Sequence, residues 1–251
     1  MVINRPTCEV CVDGVTGAIA AQSGGAHRLE LCQTLSVGGT TPSVGLMRST
    51  KASVDLPVHV LIRPRAGDFH FDTAEFDVMR RDIEAAGESG AEGVVIGSLE
   101  TDGGPDVERT ARLVEDARPM SVTFHRAFDV VPDADAALEG LIGLGIDRVL
   151  TSGQASSAWE GRGLLRHLVD AAGGRIVIMP GAGIDETHVG ELIHETGVQE
   201  VHFSARREVV MATGDRAVTM GNDGSADRVR GVTDAERVRA IIAAASAASV
   251  R

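Results

Sequence analysis

Only three cysteines, Cys8, Cys11 and Cys32, occur among the 251 residues, too few and too crowded for a disulfide framework in a chain of this length. They read as reduced thiols, and with them comes the expectation of a cytoplasmic location. No run approaches the ~18 apolar residues of a membrane span, and residues 1–7 carry no apolar signal core, so no membrane partner is expected. Positive charge is scarce as well. Against 36 Asp and Glu stand 24 Lys and Arg, a net charge of −12 with no basic stripe, which argues against nucleic acid as a partner. Neither a nucleotide-binding fingerprint nor a nucleophile elbow appears, so no nucleotide cofactor is expected.

What the chain does have is a rhythm. Eight short apolar segments ending in polar residues, at 8–13, 28–32, 58–65, 93–98, 122–126, 148–153, 176–183 and 201–204, each precede a stretch with helical spacing. The spacing is plainest at Ala74, Phe76, Val78, Met79, Ile83 and Ala86. Similar stretches run over 15–23, 43–54, 106–117, 134–144, 164–172, 186–195 and 235–248, the last opened by Thr233 and Glu236 in capping-box spacing. Eight such units in about 250 residues predict one (β/α)8 TIM barrel, an α/β fold forming a single domain over 1–251. One connection breaks the rhythm. Residues 206–232, rich in Gly, Asp and Arg, are expected to form a long loop after the eighth strand, either a lid with Arg206 or Arg207 near the barrel mouth or a solvated excursion.

Barrel sites lie at the carboxyl ends of the strands, and side chains two apart on a strand share a face. Polar groups cannot sit unpaired in the apolar layer between strands and helices. Parity therefore turns Glu9, Cys11, Glu30, Cys32, Arg63, Arg65, Thr123, His125, His202 and Ser204 inward. Glu9, Glu30 and His125 become candidates for catalytic proton transfer. Arg63 and Arg65, held extended by Pro64, suit a carboxylate or phosphate, or else pair internally with Glu9 and Glu30. Gly181 and Gly183 after the seventh segment and Ser204 after the eighth occupy loops that often hold a phosphate, and Thr151, Ser152 and Gly153 join them as anion-binding candidates. Cys11 and Cys32 lie on neighbouring parallel strands about 4.8 Å apart, so their sulfurs can meet. Two soft thiols suit Cu(I) better than a hard cation, and otherwise pack as small hydrophobes. His59, His70, His167, His188 and His194 read as surface or packing residues.

Six ordered motifs carry a family resemblance: Glu9-Val10-Cys11-Val12-Asp13, Gly25-Ala26-His27-Arg28-Leu29-Glu30-Leu31-Cys32, Gly38-Gly39-Thr40-Thr41-Pro42-Ser43, Ile62-Arg63-Pro64-Arg65-Ala66-Gly67-Asp68-Phe69, Thr123-Phe124-His125-Arg126-Ala127-Phe128-Asp129 and Val149-Leu150-Thr151-Ser152-Gly153. Along nearly its whole length the chain resembles the CutC copper homeostasis proteins. The resemblance implies a cytoplasmic, homo-oligomeric barrel linked to copper handling, with Cys11 and Cys32 as metal ligands for Cu(I). The alternative from the residues is a lyase or isomerase acting on a small anionic ligand, sugar-like or phosphorylated. A third possibility is an interaction protein whose interior charges only pair with one another.

Overall fold

A parallel strand that is apolar on one face and polar on the other is stable when helices cover the first face and the sheet curls the second into a closed interior. The computed structural model, which describes residues 5–210 and 229–248, shows this arrangement. Strands and helices alternate as β1 (Thr7–Val12), α1 (Val15–Ser23), β2 (Arg28–Leu31), α2 (Val44–Lys51), β3 (Val58–Leu61), α3 (Thr73–Glu88), β4 (Gly93–Ile96) and α4 (Val107–Ala117). There follow β5 (Ser121–Phe124), α5 (Ala134–Gly143), β6 (Arg148–Thr151), α6 (Arg162–Ala172), β7 (Val177–Pro180), α7 (Val189–Thr196) and β8 (Glu200–Phe203). The eight strands form one parallel sheet in the order β7-β6-β5-β4-β3-β2-β1-β8, and β7 and β8 lie side by side to close the barrel. The expected single TIM barrel is thus what forms.

Polar side chains start the helices. Ser43, Asp72, Asp106 and Asp133 each accept a hydrogen bond from the third residue of the helix they precede, satisfying a backbone donor that has no partner inside the helix. At α3, Glu75 returns the bond to the Asp72 backbone, a full capping box. The box expected from Thr233 and Glu236 does not form. Thr233 ends a strand, and Asp234 caps α8 (Ala235–Ala248) instead, accepting from the Glu236 and Arg237 amides at 2.9 and 3.1 Å. The outer faces of the strands pack on the helices through Val10, Leu29, Val60, Val94, Val122 and Val149, all buried.

The segment expected as a structureless loop is ordered at both ends. β9 (Arg206–Val210) and β10 (Val229–Thr233) pair antiparallel from Arg206↔Thr233 to Val210↔Val229, forming a ribbon that rises from the end of β8. Of the lid reading for 206–232, Arg206 does line the cavity at the barrel mouth and Arg207 does not, while residues 211–228 lie outside the described residues.

One glycine sets how closely two segments approach. A Cβ on Gly161 would stand 1.9 Å from the Ser152 carbonyl oxygen, so only glycine lets the start of α6 lie against the end of β6. Gly163, one step into the same helix, faces open space. Gly161→Ala is therefore expected to destabilise the protein by about 1–3 kcal/mol through overpacking, whereas Gly163→Ala should be neutral or slightly stabilising. Thermal unfolding of the two variants checks this, and equal melting temperatures would refute it.

Candidate functional site

Inside the barrel, the lowest polar layer is a chain of ions. Glu9 is fully buried and pairs with Arg28 Nε; Arg28 Nη2 reaches Glu200 at 2.5 Å, and Arg148 Nε reaches the same carboxylate at 3.0 Å. Arg148 also donates to Ser121 Oγ and Thr123 Oγ1. His59 lies 3.8 Å from Glu9 with its own Nδ1 unpartnered, and burial pushes its pKa down to about 4. It is a buried packing histidine. Burial also drives the Glu9 carboxyl upward, but Arg28 and His202 outweigh it and hold Glu9 below the usual carboxylate range. Glu9 does not line the cavity above. It sits two residues below Cys11 on β1, roughly 7 Å deeper, so parity placed it on the correct face but at the wrong height for a mouth residue.

Above this layer sits His202, absent from the candidate site residues. Its Nδ1 is 2.8 Å from Glu9 and its Nε2 is 3.8 Å from Glu30. Burial disfavours its charged form, yet Glu30, Cys11 and Glu9 together raise its pKa well above the ordinary value, so it stands as an imidazolium between two carboxyls. Glu30 goes the other way: burial lifts its pKa against the pull of His202. The signal for His202 was its parity on β8, which turned it inward. What was missing was its register opposite Glu9.

The two thiols meet. Cys11 Sγ and Cys32 Sγ are 3.5 Å apart and buried, with Cys32 Sγ also 3.4 Å from the Val12 carbonyl oxygen. They are not level. The register pairs Cys11 with Glu30, and Cys32 follows two residues beyond, so the sulfurs touch diagonally with Glu30 beneath them. The hydrogen bond with Cys32, burial and the charge of Glu30 together push the Cys11 thiol well above its ordinary pKa. Cys11 Sγ, Cys32 Sγ and a Glu30 oxygen all lie within 4.8 Å of one another. Glu9, Glu30 and His202 make a second such cluster, but Arg28 already neutralises Glu9, and an imidazolium has no lone pair to give.

A cavity of about 680 Å³ opens above these groups at the carboxyl ends of the strands, lined by Cys11, Glu30, Arg63, His125, His202 and Ser204 among others. Not every expected residue reaches it. Arg65 turns outward and forms an ion pair with Glu75 at 2.5 Å and with Asp68 at 3.0 Å, because β3 ends at Leu61 and strand parity no longer governs residue 65. Neither Arg63 nor Arg65 pairs with Glu9 or Glu30. Thr151, Ser152 and Gly153 form an anion-holding loop whose anion is the protein's own. Asp129 accepts from Thr151 Oγ1 at 2.5 Å, from the Ser152 amide at 2.9 Å and from the Gln154 amide at 3.3 Å. Gly153 donates to Thr151 Oγ1. Gly181 is engaged below the rim, donating to the Thr151 carbonyl, while Gly183 and Ser204 line the cavity.

His125 caps the turn after β5, its Nδ1 accepting from the Ala127 amide at 3.1 Å. Its ring lies against Gly97, where a Cβ would stand 2.3 Å away. Burial and the nearby Arg63 charge press its pKa down to about 3, so it is neutral with its hydrogen on Nε2.

Residues 7–207 match the CutC family. The human copper homeostasis protein cutC homolog is 48% identical over 240 residues, which covers 94% of this chain and 88% of the relative. The family protein CutC of Chromobacterium violaceum is 45% identical over 235 residues, covering 93% and 95%. The solved CutC structure from Streptococcus agalactiae is 32% identical and superposes with a TM-score of 0.76 over 79% of this chain and 98% of its own.

A buried histidine held neutral gives a signed pH dependence. The unfolded chain takes up a proton near pH 6.5 while folded His125 does not until about pH 3, so its stabilising effect is complete above pH 6.5 and lost as pH falls. Wild type is expected to lose about 1.4 kcal/mol per pH unit below 6.5 on this account. His125→Gln lacks that loss, so its stability gap to wild type should narrow between pH 6.5 and 4.5 in chemical denaturation. A gap that stays constant would contradict the assignment.

Proposed function

The chain belongs to the CutC family, and we propose that it is a copper homeostasis protein that holds Cu(I) between Cys11 and Cys32. One observation carries this reading: two buried thiols 3.5 Å apart, one of which, Cys11, lines the floor of an open cavity. Cu(I) prefers soft sulfur donors and tolerates few of them. Burial keeps competing water away from the pair, while the cavity above Cys11 supplies the route by which a metal arrives. Coordination requires thiolates, so the bound ion takes the place of thiol protons.

The remaining neighbours fit the same cargo. Glu30 stands within 4.8 Å of both sulfurs, with His202 3.8 Å from it to offset the negative charge that two thiolates and one Cu(I) carry. No third cysteine approaches, since Cys8 lies on the outer face of β1, buried in the helix-facing core with its pKa pushed up to about 12. A zinc site of tetrahedral sulfur and nitrogen ligands is therefore a poorer match than a Cu(I) pair. In this reading the protein works in the reducing cytoplasm as a homo-oligomer, where all three described cysteines stay free.

Anaerobic Cu(I) titration of the reduced protein against a competing chelator tests the assignment. One equivalent of Cu(I) is expected to bind tightly, with Cys11→Ala and Cys32→Ala each weakening it at least about a hundredfold, since one thiolate replaces two. Retention of parental affinity by either variant would rule out the pair as the site.

A further inference from the structure

An ion held by two sulfurs occupies little of a cavity of about 680 Å³, a size that falls within the range of small-molecule sites. Two groups in that cavity are left with hydrogen-bonding capacity that the protein does not use. Arg63 is buried, its Nη1 donating to the carbonyls of Val37 and Gly39 and its Nη2 to that of Gly67, while Nε has no partner. His125 is equally buried. Its Nδ1 accepts from the Ala127 amide, which places the hydrogen on Nε2, and Nε2 has no partner either. Buried polar atoms are rarely left unpaired without a reason. Both groups border one ring, Phe69, which packs against the Arg63 guanidinium at 5.1 Å and the His125 ring at 4.9 Å, and the Arg63 charge acts on His125.

Charge tells the same story. Every other arginine lining the cavity has a carboxylate: Arg126 pairs with Asp129 at 2.7 Å, Arg206 with Asp13 at 3.2 Å, and Arg237 with Glu186 at 3.9 Å. Arg63 has none among the described residues. The charge that acts on it is the like charge of Arg65, which is itself committed to Glu75 and Asp68. Three carbonyl dipoles position Arg63 but do not neutralise it, and a buried cation without a counter-charge is costly.

We propose that the cavity binds a small organic monocarboxylate, whose two oxygens accept hydrogen bonds from Arg63 Nε and His125 Nε2. One unpaired cation calls for one negative charge. A phosphate dianion would bring a second charge towards Glu30, Asp129 and Asp185, which line the same space. A carboxylate also suits these donors, one oxygen on Arg63 Nε and one on His125 Nε2, since three of the four outer N–H groups of Arg63 are taken by carbonyls. The rest of the ligand extends past Leu35, Leu61 and Leu150 towards Ser204, so it carries both carbon skeleton and hydroxyl or oxo groups. Phe69 shields both donors, and binding turns its ring aside.

The test uses the full chain, reduced and free of metal, so its outcome is independent of copper binding. Pyruvate, lactate and gluconate are titrated separately while the imidazole nitrogen resonances of His125 are followed by NMR, with inorganic phosphate as the contrasting anion. At least one carboxylate is expected to move the Nε2 resonance saturably and to raise the melting temperature, and phosphate to do neither. Arg63→Gln should abolish the effect. Because Arg63 also holds the loops at Val37, Gly39 and Gly67, His125→Phe is the second variant, expected to weaken the carboxylate about tenfold or more through loss of one charge-assisted bond. The proposal is overturned if none of the three carboxylates moves the His125 resonance, if His125→Phe binds as tightly as wild type, or if phosphate binds there in preference to all three.

Discussion

The ionic chain Glu9–Arg28–Glu200–Arg148 is the interaction on which the rest of this barrel depends. It joins β1, β2, β8 and β6 across the interior, and Arg28 Nη2 also lies 3.3 Å from Met179 Sδ on β7. Neighbouring strands elsewhere are held by continuous ladders, but β7 and β8 adjoin without one in the sheet order. The ions span that seam. Removing one partner from such a network leaves an unpaired charge in a dry interior, which typically costs about 3–5 kcal/mol. The network therefore constrains the relative heights of four strands, and with them every group above.

Those heights set the electrostatic character of the site. Because Arg28 stabilises Glu9 as an anion, Glu9 in turn stabilises His202 as a cation, and His202 stands beside Glu30 and Cys11. The charge of Glu30 works against ionisation of Cys11, so that thiol stays neutral until something positive joins it. The polar barrel interior is thus compatible with a thiol-bound metal because its hard groups are engaged with one another below the sulfurs.

The loops around the mouth are held by internal anions and carbonyls in place of ligand. Asp129 fills the loop at Thr151 to Gln154, so the backbone donors after β6 are already occupied. Arg63 draws the loops at Val37, Gly39 and Gly67 together from one guanidinium. These contacts leave Arg63 Nε and His125 Nε2, both beside Phe69, without partners among the described residues.

Much of this was legible in the chain itself. Alternation of apolar strand and amphipathic helix eight times over, with polar residues on the second face of the strands, points to a closed parallel barrel, which about 250 residues suffice to build. Strand parity correctly turned Cys11, Glu30, Cys32, Arg63, His125 and His202 inward, because side-chain alternation is a local property of extended backbone. Parity ceases where a strand ends, and for that reason it misassigned Arg65, four residues past Leu61. Register is a relation between strands, so the height of Glu9 below the mouth, the meeting of His202 with two carboxyls, and the diagonal contact of the thiols had no trace in any single segment. The sequence alone determined the barrel and which residues face its interior. Only the tertiary structure decided which of them meet, because partners such as Glu9 and His202, 193 residues apart, are brought together by barrel closure and not by any local preference of the chain.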